Sequence, residues 1–464
     1  MHRRTFLRSL TALAALPAIA LLSACGALPH PPGTLKKAPT TLRFVMGPFF
    51  NFGAVDAGDQ QQLPPIMESF HAAFPDVTVE TVQVTDFQVY QRYSKTYLDP
   101  SESSHADLVM VRSLGNPIDV TQMVPLEPLL KRDKDIKLDD FYPQALHRMT
   151  LQGHIVALPR DIQPNMIVYY NTDLLSEAGV APPTEGWTLD EFLQMTQQIS
   201  RTLSKRAEPA MRYAFTDTNS VDGFFAFIQL FGGALMDRNT GTITIDDDAA
   251  VAGAQFYADL HSKYRVLPNR LDRTVAYSAA SPVTQFILGN VPMFATSPDM
   301  ISLLRTMKRQ LSWDIATLPI KPDVKQNWDA IASCLLIPKA STQQDAAWAL
   351  AKYLSVGPGM QARAGLGDLH PASKKLAMGP AWLNKQAPNN RPLLNTIGME
   401  RMIDTDPNAP SAIQGTPLPG TGPDNNAMYR VVYNSLDDLL MGKITAQHLL
   451  KQAKDAANKP LSGR

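Results

Sequence analysis

Three phenylalanines stand among turn-forming residues in the stretch GPFFNFGAVD, where their rings could offer a stacking surface to a ligand. Phe49, Phe50 and Phe52 are interspersed with glycine, proline and asparagine, which favour turns over helix or strand interiors. An apolar ring in a loop either supports a hydrophobic core or presents a flat face to a bound molecule. The sequence leaves both uses open for each ring.

Two other patterns could bind metal ions. Tyr169 and Tyr170 could give phenolate oxygens to ferric iron, and Asp237 with Asn239 has the spacing of calcium ligands. Adjacent tyrosines point to opposite faces of a strand, however, which favours packing over a shared metal. The calcium pattern lacks the glycine and the terminal glutamate of a binding loop, which favours a hairpin turn. We therefore predict no metal site and no cofactor.

Signatures of common catalytic sites are missing from the sequence. It contains no His-Glu-x-x-His, no Cys-x-x-Cys and no Gly-x-Ser-x-Gly. The pair Gly442-Lys443 lacks the other residues of a phosphate-binding loop, and AGLGDLH lacks the third glycine of a dinucleotide fingerprint. The sequence favours a binding protein over an enzyme, although distant residues could still assemble a catalytic site.

The composition is that of a globular protein without a net electrostatic field. The 464 residues include 43 basic and 43 acidic side chains, so we expect no attraction to nucleic acid or to an anionic membrane surface. Hydrophobic residues make up 44% of the chain, which is enough for a large core. The length suggests about two to three domains, or one two-lobed unit.

The first 25 residues predict an export signal. Arg3 and Arg4 lie in RRTFLR, which resembles the twin-arginine motif, and the apolar run that follows is well short of the ~20 residues of a membrane-spanning helix. LSAC, which ends at Cys25, resembles a bacterial lipobox, in which that cysteine is acylated. A general secretory signal with an unmodified cysteine is the alternative. We expect an extracytoplasmic protein, lipid-anchored on the periplasmic side or at the cell surface, with residues 26–40 as a flexible tether.

After the tether, strand and helix patterns alternate, which predicts an α/β fold with a parallel sheet. TLRFVMG and VTVETVQV have the pattern of strands and flank the helical spacing of Ile66, Phe70 and Phe74. IVAL and MIVYYN predict two further strands around the proline-flanked segment PRDIQP. TLDEFLQMTQQISRTL predicts a helix that begins with a capping box of Thr188 and Glu191.

The segment that contains PRDIQP resembles the extracellular solute-binding proteins of ABC importers, the family that includes maltose-binding protein. The residues that carry the resemblance appear in the order typical of that family: Gly153, Leu158-Pro159, Tyr170-Asn171, Asp173-Leu174, Ala178-Gly179, Pro182-Pro183 and Trp187 to Glu191. Further matches include LFGGALMD, QFILGNVPMFATSPDM and CLLIPKASTQQDAAWALAKYLS, and together they extend over nearly all of the chain after the leader.

The resemblance implies an α/β protein of two lobes with a ligand cleft between them. Lobe 1 would comprise residues 41–160 and 326–372, and lobe 2 residues 161–325 and 373–464. A solute that touches both lobes would favour the closed state, which a membrane permease with separate ATPase subunits would recognise. We expect a monomer that binds a small solute, most simply a mono- or oligosaccharide, without covalent chemistry.

The resemblance also assigns candidate ligand-binding residues. In the family, the loop after the first strand lines the cleft, which gives Phe49 and Phe50 the role of stacking on a sugar face. Relatives offer polar ligands after the Leu-Pro step, where this sequence has Asp161, Gln163 and Asn165. If that segment is a strand, their spacing of two places all three on one face.

Four more candidates come from other segments. Asp299 lies in the loop where relatives often carry a stacking tryptophan. In this chain the loop reads TSPDM and lacks that tryptophan, which counts against maltodextrin as the solute. Trp328 precedes the strand DAIASCLL, and Tyr429 matches a region that holds an aromatic platform in relatives. Arg112, at the end of ADLVMV, could reach a hydroxyl or an anionic group.

Three alternatives to a sugar-binding protein stay open. An anionic solute such as a polyol phosphate is favoured if Arg112 or Arg160 faces the cleft. A secreted hydrolase on a similar scaffold would need a nucleophile with a base beside it. An adhesin or sensor could keep the fold without taking part in transport.

Overall fold

Strands and helices alternate along the chain, as the hydrophobic patterns predict. The computed structural model describes residues 39–46, 57–84, 97–99, 101, 105–111, 120–151, 153–164, 166–205, 213–217, 220–237, 242–268, 282–307, 311–325, 328–383, 390–394, 400–402 and 427–458. The strands are β1 (Thr40–Met46), β2 (Val77–Gln83), β3 (Leu108–Val111), β4 (Thr150–Leu151), β5 (His154–Ile155), β6 (Leu158–Pro164), β7 (Ile167–Asn171), β8 (Phe215–Asp217), β9 (Met293–Thr296), β10 (Trp313–Ala316), β11 (Trp328–Leu336) and β12 (Glu400–Met402).

The helices alternate in the sequence with the strands of two larger sheets and of a separate two-stranded sheet, β4 with β5. They are α1 (Ala57–Ala73), α2 (Glu127–Arg132), α3 (Pro143–Met149), α4 (Thr172–Glu177), α5 (Leu189–Leu203), α6 (Ser220–Leu230), α7 (Asp248–Ser262), α8 (Pro282–Ile287), α9 (Met300–Thr306), α10 (Gln344–Ser355), α11 (Pro358–Ala364), α12 (Lys374–Ala377), α13 (Arg391–Leu394), α14 (Ala427–Leu440) and α15 (Ala446–Ala457). No helix in the described ranges is long and apolar enough to cross a membrane.

The first sheet has the strand order β12, β11, β3, β1, β2, with β6 on the other edge of β11. β1 runs parallel to β2 and β3, but β11 runs antiparallel to β3 and β6. The prediction of a parallel sheet is therefore right for β1 to β3 and for β11 with β12, and wrong for the pairing of β11 with β3 and β6. Hydrophobic patterning reports which faces are buried and not the direction of a strand, so it missed the reversal.

The segment PRDIQP is itself part of strand β6. Its backbone pairs with β11 from Leu158 to Pro164. Its two prolines lie near the ends of the strand, where the missing N–H group costs fewest ladder hydrogen bonds. The strand continues the first sheet up to Pro164, and the second sheet begins with β7 at Ile167.

The second sheet, in the order β10, β7, β9, β8, separates two hydrophobic cores. Tyr169 packs on one face of β7 with Phe294 and Trp382, and Tyr170 packs on the other face with Trp187. The two rings thus lie on opposite faces, as the strand alternation predicts, and both are buried. Burial raises the pKa of both phenols, so neither is a ready phenolate ligand for iron.

Helix α5 begins with the capping box that the sequence predicts. The Thr188 Oγ1 atom accepts a hydrogen bond from the Glu191 N–H at 3.2 Å, and the Glu191 carboxylate accepts from the Thr188 N–H at 2.6 Å. Each bond satisfies a backbone N–H that a helix start otherwise leaves unpaired.

Replacing the capping threonine should therefore destabilise the protein modestly. We expect Thr188→Ala to lower the free energy of unfolding by about 1 kcal/mol and Thr188→Ser to lower it by less, because serine keeps the accepting oxygen. Urea unfolding of both variants checks this. Equal losses for the two variants would attribute the effect to the threonine methyl group and not to the cap.

Candidate functional site

The chain passes between the two sheets at one end of the first sheet. β6 ends at Pro164 and β7 begins at Ile167, while β10 ends at Ala316 and β11 begins at Trp328. Pro164 pairs with Ala330, so the end of β6 and the start of β11 are neighbours. Because β6 and β3 are both antiparallel to β11, this end of the sheet is also the carboxyl end of β1 and β3. Ligands of open α/β sheets bind outside the carboxyl ends of the strands.

Two of the three polar candidates after the Leu-Pro step lie on β6. Asp161 pairs with Ser333, and Gln163 pairs with Ile331. For Gln163 the structure describes its backbone position on the strand. The Asp161 side chain is buried, and its Oδ2 atom lies 3.7 Å from Nη1 of the equally buried Arg160. Asn165 lies outside the described residues.

Asp299 lies close to the same crossing. Thr296, the last residue of β9, pairs with Ile167, which starts β7, and Asp299 follows three residues later. Its side chain is buried and accepts a hydrogen bond from Ser297 Oγ at 3.2 Å. The Tyr169 hydroxyl donates to the Ser297 carbonyl at 2.8 Å, which ties this loop to the second sheet.

The two aromatic candidates occupy different environments. Trp328 is the first residue of β11, where its backbone pairs with Glu400, so it stands at the crossing. Tyr429, on α14, is 5% exposed and belongs to a core of the second sheet. Its ring centroid lies 6.4 Å from that of Phe225 on α6, a helix that also contacts β11.

The other candidates fall outside the described residues. Phe49 and Phe50 come after Met46, the last residue of β1, and Arg112 comes directly after Val111, the last residue of β3. The export residues Arg3 and Arg4 and the lipidation residue Cys25 also lie outside the described ranges.

A buried polar turn beside β6 was not anticipated from the sequence. Residues 366–370, here called the 366–370 turn, follow α11 and contain Gly367, whose backbone has a φ of +76°. The Leu366 carbonyl accepts from the Arg305 guanidinium on α9, and the Gly367 carbonyl accepts from Asn390 Nδ2 at 3.0 Å. A Cβ atom at Gly367 would lie 2.2 Å from Arg305 Nη1, so this position requires glycine.

An ion pair closes the same turn. The Arg363 guanidinium binds both oxygens of the Asp368 carboxylate, with 2.9 Å between Nη2 and Oδ2, and both side chains are buried. The bidentate geometry is the strongest form of this contact. The glycines of AGLGDLH were the available signal, since they mark a turn, but the long-range partners cannot be read from local sequence.

The turn leads into a segment that extends the first sheet past β6. The Ile162 N–H donates to the His370 carbonyl at 2.9 Å, and the Ala372 N–H donates to the Arg160 carbonyl at 3.1 Å. The His370 ring stacks on Trp382 at 4.2 Å between centroids. Burial lowers the pKa of His370 to about 3, so the ring is neutral near pH 7. The strand that carries Asp161 is thus held on both edges.

The arrangement is suited to reversible binding. Within the described ranges, no group of three or more His, Cys, Asp or Glu side chains could hold a metal ion. A buried carboxylate beside a buried guanidinium places hydrogen-bond acceptors and donors on β6, the strand that leads to the crossing between the two sheets.

The chain is similar in sequence to solute-binding proteins. The model of the family described as bacterial extracellular solute-binding protein matches residues 66–390. A binding protein of Brucella abortus is 21% identical over 289 residues, which is 62% of this chain and 67% of that protein.

Two solved structures share the architecture over most of the chain. An ABC substrate-binding protein of Listeria monocytogenes in complex with cycloalternan covers 90% of this chain and 98% of its own at 16% identity, with a TM-score of 0.66. A maltose-bound protein of T. maritima covers the same shares at 20% identity, with a TM-score of 0.65. The fold is therefore the two-lobed fold of these proteins. Since the family model spans more than half of the sequence, the chain belongs to the bacterial extracellular solute-binding protein family.

Proposed function

We propose that this protein is the substrate-binding lipoprotein of an ABC importer and that its solute is a neutral mono- or oligosaccharide. It captures the sugar outside the cytoplasmic membrane and delivers it to a permease that works with separate ATPase subunits. Cys25 carries the lipid anchor, and Arg3 with Arg4 directs export by the twin-arginine route. The protein acts as a monomer and releases the sugar unchanged.

The buried pair of Arg160 and Asp161 on β6, the strand that leads to the sheet crossing, is the observation that supports a neutral solute. The carboxylate accepts hydrogen bonds from sugar hydroxyls, and the guanidinium donates to others. An anionic solute at the same place would meet the Asp161 carboxylate as well as the arginine, so the pair favours a sugar over a polyol phosphate. The related structures with cycloalternan and maltose agree with this choice.

The remaining candidates complete the proposed binding cleft. Gln163, Asn165 and Asp299 supply polar contacts near the crossing, and Arg112 supplies a donor. Trp328 and Tyr429 join Phe49 and Phe50 as stacking platforms for the sugar rings. Contact with both lobes stabilises the closed form, because the ligand binds that form more tightly.

A thermal-shift screen of the full chain tests this proposal. Monosaccharides, oligosaccharides and glycerol phosphates are compared, and a ligand at one hundred times its dissociation constant should stabilise the protein by about 2.7 kcal/mol. We expect Gln163→Ala to reduce the shift that the best sugar produces. Gln194→Ala, a change of the same type on the exposed face of α5, is the matched control and should leave the shift intact.

The screen also distinguishes the alternatives. A shift with glycerol phosphates and none with any sugar would overturn the neutral solute. Recovery of a cleaved sugar after incubation would replace the binding protein with a hydrolase.

A further inference from the structure

Four buried hydrogen-bonding atoms on three neighbouring side chains have no partner in the described part of the protein. They are Nδ1 and Nε2 of His370, Nε1 of Trp382 and Oδ1 of Asn390. His370 is 1% exposed, and the other two residues are fully buried. Native proteins pair the large majority of buried polar atoms, so four unpaired atoms on neighbouring side chains indicate a bound hydrogen-bonding molecule.

The three side chains are direct neighbours. The rings of His370 and Trp382 stack at 4.2 Å between centroids, with 29° between their planes. The Asn390 Nδ2 atom donates to the Trp382 carbonyl and to the Gly367 carbonyl, both at 3.0 Å. Because both amide hydrogens are used on carbonyls, the Asn390 Oδ1 atom is fixed as an acceptor.

The chemistry of the four atoms selects a neutral ligand. The Trp382 indole is a donor, Asn390 Oδ1 is an acceptor, and a neutral imidazole provides one donor and one acceptor. An anion would need donors alone and a cation acceptors alone, whereas a hydroxyl both donates and accepts. The nearby Arg363 binds both oxygens of Asp368, so this guanidinium adds no uncompensated charge.

We propose that His370, Trp382 and Asn390 form a buried hydroxyl-binding site beside β6. The hydroxyl belongs either to enclosed water or to the bound solute. The water source stands independently of the proposed transport function, whereas the solute source rests on it. An occupant of this site stabilises the 366–370 turn, which lies against the strand that carries Asp161.

Magnetisation transfer in NMR tests the site directly in the full chain. With tryptophan labelled by nitrogen-15, Trp382→Phe identifies the indole signal of Trp382. We expect this N–H to exchange magnetisation with water protons, or with protons of the sugar that gives the largest shift in the thermal-shift screen once that sugar is added at saturation. Trp187 is the matched control, because it is equally buried but donates its N–H to the Thr317 carbonyl at 3.0 Å, and it should show neither transfer.

Each result has a defined meaning. Transfer from water alone assigns enclosed water, and transfer from the added sugar assigns a solute hydroxyl. Absence of both, with and without that sugar, overturns the site and leaves the proposed transport function to its own thermal-shift test.

A stability measurement provides a second test. A bound hydroxyl and unpaired imidazole nitrogens predict changes of opposite sign in the unfolding equilibrium constant when the imidazole is removed. At pH 8, His370→Phe keeps a ring on Trp382 and removes both imidazole nitrogens. If they bind a hydroxyl, the unfolding equilibrium constant should rise about tenfold, which corresponds to ~1.4 kcal/mol. If they are unpaired, the variant removes a buried polar cost and the constant should fall, which would overturn the proposal.

Discussion

Arg363→Leu should lower the free energy of unfolding by about 3–5 kcal/mol. The change removes the guanidinium that binds both oxygens of Asp368 and leaves that carboxylate buried without this hydrogen-bonded partner. A buried unpaired charge costs far more than the pair contributes, because the pair itself had to be desolvated. Urea unfolding followed by circular dichroism measures the loss.

Two further variants identify the cause of that loss. Arg132→Leu breaks a 2.8 Å pair with Asp345 in which both side chains are well exposed to solvent, and it should cost less than about 1 kcal/mol. The double variant Arg363→Leu with Asp368→Leu should recover much of the loss, since neither member of the pair is left without the other. If Arg363→Leu costs no more than Arg132→Leu, the buried pair is not an important contributor.

The protein should lose stability as the pH falls below the ordinary histidine range, and two buried histidines should account for part of it. Burial lowers the pKa of both His261 and His370 to about 3. Between pH 6.5 and 3 the unfolded chain therefore binds protons at these rings that the folded protein excludes. The full stability is present above pH 6.5. As the pH falls from 6.5 towards 3, the free energy of unfolding decreases by about 1.4 kcal/mol per pH unit for each ring.

Phenylalanine variants measure each contribution separately. Between pH 6 and 4, the unfolding free energy of His370→Phe should rise relative to that of the wild type by about 1.4 kcal/mol per pH unit. His261→Phe should show the same rise. The double variant should show the sum of the two rises, because His261 lies on α7, in a core distinct from that around Trp382. Parallel curves for wild type and variants would show that these rings titrate normally in the folded protein.

Local features were predictable from the sequence because their causes are local. The capping box at Thr188 needs only two residues at a spacing of three, and the opposite faces of Tyr169 and Tyr170 follow from the alternation of a strand. The family resemblance indicated the two-lobed fold. The structure places Trp328 at the start of β11, Asp299 three residues after β9 and Asp161 three residues before the end of β6, although these residues come from distant segments.

Features that depend on long-range pairing were not predictable. β11 runs antiparallel to β3 because the chain enters this strand on its way back from the second sheet. The hydrophobic periodicity of the segment carries no information on that direction. The 366–370 turn is fixed by Arg305 and Asn390, which lie on either side of it at some distance in the sequence. His370 gave no local sign that it would be buried beside Trp382, since a lone histidine is as common at a surface as in a core.

The central position of β11 also has a consequence for synthesis on the ribosome. β3 and β6 both pair with β11, yet the whole second sheet is translated between β6 and β11. At ~5–20 residues per second, the nascent chain waits roughly 10–30 s before this strand emerges. During that interval the unpaired strand edges are open to aggregation, so a chaperone that holds nascent chains should raise the yield of exportable protein.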